Sequence, residues 1–234
     1  MSAAGRLALL RVALVLGYFV LAHAAGVGRE PRLAALALGD LAVLLLLPAL
    51  AARRAWAFAA LILAAAGLFL LARSAWALLP LLLVPAAIVG LVAWGFGRTL
   101  RAGGIPLITR IVAAMDGLPP AQLAPELLRY TRALTALWAW TMGLLALFNL
   151  LLAALVVPGG LLAGAGVAPP LAISEAQWSW CANVGNYGLI VALLLLEFGY
   201  RQRRFPGRYR NFLHFLQKMA RLGPAFWQGV LRSP

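Results

Sequence analysis

Six polar side chains lie in strongly apolar stretches of this chain: His23, Asp40, Asn149, Asn183, Asn186 and Glu197. A charged group at the centre of a membrane helix costs about 2.5–3.5 kcal/mol on insertion scales, so each of these needs a partner or a use. Asp40 falls about seven residues into the apolar run that starts at Leu33, and His23 sits near the end of the run before it. The link between the two runs is short, so their helices are neighbours. This spacing predicts a His23–Asp40 pair. Such a pair can hold a polar head group or relay protons, or it can simply bond two helices together. Arg11 and Glu197 form a second candidate pair, though each can also reach the interface alone. Asn183 and Asn186 share one helix face at i, i+3, and Asn149 on the preceding run is expected to meet it. Packing through amide hydrogen bonds is the default reading, and a polar path for a substrate is the other.

A different chemistry is offered by Gly97-Arg98-Thr99-Leu100-Arg101-Ala102-Gly103-Gly104. Guanidinium groups present planar donor forks, and glycines let backbone N–H groups approach an anion. Arg98, Thr99 and Arg101, with Arg110 and Arg132 further on, are the candidate anion- or partner-binding residues. The spacing is not that of a P-loop. No Ser/His/Asp set, metal-ligand cluster or nucleotide loop is legible, so no catalytic residue, metal or cofactor is expected. Cys181 is the sole cysteine and reads as a small packing residue.

The elements that must position these groups follow from composition. The chain is 64% hydrophobic and 11% charged. A soluble domain is about 45–50% apolar and about 25% charged, so a chain this apolar needs the bilayer as its solvent. Six stretches are long enough to cross it: roughly Leu7–Val27, Leu33–Ala51, Ala55–Ala72, Trp76–Phe96, Leu134–Val157 and Trp180–Tyr200. The expected fold is an all-α membrane bundle. A four-helix half covers residues 1–97, a basic loop 98–133, two more spans 134–200 and a basic tail 201–234. Arg6, the apolar run after it and Ala22-His23-Ala24 also have the form of a signal peptide, but a retained span is the leading reading.

Orientation follows from the basic residues. With the N-terminus inside, 17 of the 20 Lys and Arg residues face the cytoplasm, and only Arg29, Arg32 and Arg73 face out. This split predicts an inner-membrane protein with both termini cytoplasmic. The same placement explains the net charge of +14 through anionic lipid, without nucleic acid. Two cytoplasmic segments carry helical apolar stripes. Leu107, Ile108, Ile111, Val112 and Met115 predict a short helix lying on the membrane surface, opened by Pro106 and ended by Gly117-Leu118-Pro119-Pro120. After a turn at Phe205-Pro206-Gly207, Phe212, Phe215, Leu216 and Met219 predict a second, stopped by Gly223-Pro224. No fixed-period repeat is evident.

Several motifs stand together: Phe96-Gly97-Arg98-Thr99-Leu100-Arg101, Pro106-Leu107-Ile108-Thr109-Arg110, Tyr130-Thr131-Arg132 with Trp138, Ala182-Asn183-Val184-Gly185-Asn186-Tyr187, and Arg203-Arg204-Phe205-Pro206. From about Trp94 to Leu222 the chain resembles an uncharacterised family of bacterial inner-membrane proteins. Its members are often encoded beside fatty-acid-like enzymes of aryl-polyene synthesis. Some carry the label ketosynthase. A condensing enzyme of that type needs a nucleophilic Cys with two His on a soluble fold, and Cys181 with His23 and His214 does not supply it. The resemblance brings no known activity with it, but together with the charge placement it leads to the expectation of a non-enzymatic platform for an acyl- or polyene-lipid pathway. Its basic face would recruit acidic carrier proteins or anionic lipid. The alternatives are a transporter or flippase, with His23, Asp40, Asn183 and Asn186 lining a cavity, and, more distantly, a membrane acyltransferase. The oligomeric state is left open.

Overall fold

A computed structural model describes residues 3–74, 76–206, 212–223, 226–227 and 229, without the side chains of Ala3, Ala4 and Asn183. Gly207, Pro224 and the Asn183 side chain, each given a part above, lie outside that description, as do Arg208, Arg210 and Arg232 of the 17 basic residues assigned to the cytoplasm. The chain is all-α. Its helices are α1 (Ala3–Gly28), α2 (Pro31–Ala51), α3 (Ala55–Leu71), α4 (Leu79–Arg98), α5 (Leu107–Asp116), α6 (Pro125–Leu155), α7 (Leu161–Gly164), α8 (Glu175–Ser179), α9 (Asn186–Arg204) and α10 (Phe212–Ala220). A π-helical turn, Trp180–Gly185, joins α8 to α9. Among the described residues, five helices are long and apolar enough to cross a membrane: Gly5–Gly28, Pro31–Ala51, Leu79–Arg98, Pro125–Leu155 and Glu175–Arg204. The sixth expected span is the apolar helix α3, which has only 17 residues. Arg54 bounds it at the N-cap, and the Ser74 hydroxyl closes its other end on the Leu71 carbonyl at 2.8 Å.

The chain divides into two compact units. The first comprises residues 1–85 and 149–183. Small residues let its helices approach closely. Ala25 of α1 and Ala34 and Ala37 of α2 are fully buried in one cluster with Leu81. Arg29 takes a left-handed conformation, φ 49°, in the tight turn between α1 and α2. The Gly- and Pro-rich connection after α6 is well tied. Val157 N–H donates to the Ile173 carbonyl at 2.9 Å, and Ile173 N–H donates to Leu155 at 3.2 Å. Ser174 and Gln177 then form a reciprocal capping box that starts α8. Arg29 pairs with Glu175 at 3.3 Å, binding the α1–α2 turn to that cap. Trp178 is buried with Leu82, Leu152, Val156 and Ala182.

The second unit comprises residues 86–148 and 184–234. Val89, Met142 and Leu145 form its apolar middle. Towards the arginine-bearing end, Ile108, Val112 and Ala113 of α5 pack with Leu123 and with Leu127 and Leu134 of α6. At the same end Phe198 of α9 packs on Phe215 of α10, with Met115 of α5 alongside.

Candidate functional site

Four threonines build the arginine-rich end of the second unit. The first backbone N–H groups of a helix have no partner within it and must be satisfied from outside. In α5 two of them are met by side chains of other elements. Leu107 N–H donates to the Thr99 hydroxyl at 2.9 Å, and Ile108 N–H to the Thr135 hydroxyl at 3.3 Å. Thr99 in turn donates to the Phe96 carbonyl at 2.8 Å, and Thr135 to the Thr131 carbonyl at 2.7 Å. Thr131 reaches the Leu128 carbonyl at 3.2 Å and shares a 2.7 Å hydroxyl–hydroxyl hydrogen bond with Thr109. All four threonines are buried.

These bonds bear on two expectations. Part of the apolar stripe of α5 is covered by protein, because Ile108 and Val112, with Thr109 and Ala113 beside them, are buried against α6. Thr99 is 1% exposed and is occupied both as donor and as acceptor, so its hydroxyl is closed to an external anion. The glycines also have a conformational task. Gly103 has φ +78°, and a Cβ on Gly104 would lie 2.9 Å from the Thr99 carbonyl oxygen. Only glycine fits this return of the chain.

The arginines divide in the same way. Arg98 lays its guanidinium over the Trp94 ring, 4.8 Å from the centroid. Arg110 Nε donates to the Ile105 carbonyl at 3.0 Å, and Arg132 donates to the Leu100 carbonyl at 3.0 Å. Both brace the segment between α4 and α5. Arg101, Arg129, Arg132, Arg203 and Arg204 are exposed.

Beside this end lies a buried charge network. Glu197 Oε1 accepts the Tyr130 hydroxyl at 2.5 Å and Arg201 Nε at 2.8 Å, and Oε2 accepts Arg201 NH2 at 2.5 Å. The Glu197 and Arg201 side chains are 4% and 9% exposed. Two charges so deeply buried persist only as a well-bonded pair. Arg201 also stands over the Phe215 ring at 4.8 Å, which adds a cation–π contact to the docking of α10. Tyr130 stacks on Tyr200 at 6.0 Å and meets Phe205 edge-on at 5.2 Å. One turn closer to the arginine end, Arg204 pairs with Glu126.

Glu197 therefore has its partner four residues along its own helix, where the sequence reading set Arg11 against it. Arg201 and Thr135 were not singled out there, and Tyr130, Thr109 and Thr131 stood only within the motifs that carry the resemblance. The Glu197–Arg201 spacing of i, i+4 was the available signal. The threonine contacts left none, since each depends on which helix stands opposite. In the first unit, His23 and Asp40 are not joined by any hydrogen bond or ion pair among the described residues. His23 is exposed. The Asp40 carboxylate lies against Gly17, whose Cβ position is 3.5 Å from Oδ2. That is six residues along α1 from His23, because the two-residue turn sets Asp40 deeper in the hairpin. Asn149 is fully buried and Asn186 is 3% exposed, and both are engaged in interactions. No family model, curated protein or solved structure matches the chain.

Proposed function

We propose that this protein is a six-span component of a bacterial inner membrane, with its termini and arginine-rich end in the cytoplasm. There it serves as a platform for an acyl- or polyene-lipid pathway, and its basic face recruits an acidic soluble partner such as an acyl carrier protein. The observation carrying this reading is the docking of the 97–117 segment onto α6 by buried threonines. It leaves Arg101, Arg129, Arg132, Arg203 and Arg204 exposed at one preformed end. A surface already ordered costs less to bind, and a concentration of one charge sign raises encounter rates. The distribution of basic residues supports the sidedness, and the resemblance from Trp94 to Leu222 supports the pathway.

The test compares wild type with an Arg101→Glu/Arg129→Glu variant, both side chains being exposed, in binding to an acyl carrier protein at low and high salt. Binding at low salt should fall by about tenfold or more, both in the variant and at high salt. Binding insensitive to both would sink the platform reading. Transport of a lipid-like product draws less support, since His23 and Asp40 do not meet.

A further inference from the structure

An open groove of about 500 Å³ runs between α6 and α9 within the second unit. Its walls are Ala133, Leu134 and Leu137 on one helix and Leu193 and Leu196 on the other. Tyr130, Glu197 and Tyr200 form its polar end. The wall residues on α6 follow Tyr130 at three, four and seven positions, so they make one stripe, about 10 Å long at 1.5 Å per residue. Ala133 provides the space, because a small side chain stands there among leucines.

We propose that this groove seats one acyl chain of an anionic phospholipid, with the phosphate at the arginine-bearing mouth. Three observations commit the site to that occupant. First, the walls belong to two helices fit to span a bilayer, and Leu137, Leu196 and Tyr200 are 46%, 73% and 57% exposed. An apolar groove in that position opens onto lipid, not onto water. Second, the polar end does not repel an anion. The Glu197 charge is bonded to Arg201, and the Tyr130 proton is spent on the same carboxylate. Third, the mouth is cationic. Arg204 stands one turn beyond Tyr200 with its side chain 51% exposed, Arg203 is exposed beside it, and Arg129 is exposed one turn before Ala133. Of these three guanidinium groups, Arg204 pairs with Glu126. Guanidinium forks suit a phosphate, and the phenol of Tyr200 sits where an interfacial aromatic is favoured.

The full chain is purified into micelles containing equal amounts of phosphatidylglycerol and phosphatidylcholine with the same acyl chains, and retained lipid is read by native mass spectrometry. Phosphatidylglycerol should be retained over phosphatidylcholine by about tenfold. Ala133→Trp fills the groove and should abolish retention of both lipids. Arg204→Gln should remove the preference while leaving chain binding. Should Ala133→Trp aggregate, Leu196→Trp serves instead, because a side chain 73% exposed can be enlarged without disturbing the core. The proposal is overturned by equal retention of the two lipids, by wild-type retention in a soluble groove-filling variant, or by displacement of the phospholipid with an equimolar single-chain fatty acid. Neither Ala133 nor Leu196 belongs to the surface tested with carrier protein, so the two ideas fail separately.

Discussion

Glu197 accepts three hydrogen bonds on two oxygens, and Arg201 supplies two of them from a position almost as buried. Desolvating two charges is costly, and their attraction offsets that cost only while both are present. Glu197→Gln should therefore lower stability by about 3–5 kcal/mol, whereas Glu197→Met/Arg201→Met should lie within about 1–2 kcal/mol of wild type. Unfolding in detergent by a chemical denaturant measures both. A single variant no worse than the double would show that the pair is not buried as described. At this scale the sequence was partly legible. Six polar residues in apolar stretches were visible, and every described one except His23 is at least half-buried. Their partners were not, because apolar neighbours on six similar Ala/Leu helices do not specify which face meets which.

Helix α5 shows what an element reveals of itself and what it hides. Pro106 stands at its N-cap and Gly117, with φ 67°, at its C-cap, and both signals are local. The apolar stripe was equally plain. Its covering was not, for membrane and neighbouring helix are both apolar and select the same stripe. The added information lies in Thr109 and Ala113, small buried residues beside the stripe that let α6 come close. Thr135→Val should free the Ile108 N–H and cost about 1 kcal/mol, as loss of a cap does. Hydrogen exchange should then accelerate at Ile108 while the middle of α6 stays protected. Unchanged exchange at Ile108 would mean that the Thr135 hydroxyl does not hold α5. For α3 the difference from expectation is length alone, with turn residues rather than hydropathy setting its ends.

At the scale of the whole molecule, hydropathy and charge placement were the strongest signals, and both are sums over many residues that survive errors at any one. The all-α architecture with several potential spans follows from them. The separation into two compact units does not, because each boundary falls inside a continuous helix: after Pro85 in α4, after Phe148 in α6 and after Asn183 in the π turn. Sidedness can be tested directly. In a Cys181→Ser background, Arg101→Cys should react with a membrane-impermeant maleimide only from the cytoplasmic face. Ala168→Cys, exposed in the connection after α7, should react only from the opposite face. Reaction of both from one side would mean that α6 does not cross the membrane between them, and exchanged sides would reverse the proposed topology.

The unequal bonding of Thr109 and Thr131 also has a historical consequence. Thr131 has the Leu128 carbonyl as a second acceptor, so losing the Thr109 hydroxyl still leaves the Thr131 proton a partner. Losing Thr131 first strands a buried hydroxyl at Thr109, at a desolvation cost of about 1–3 kcal/mol. A lineage replacing this pair with valines therefore has an open path through position 109 and a steep one through position 131. Descendants carrying valine at 109 with threonine at 131 should outnumber the reverse.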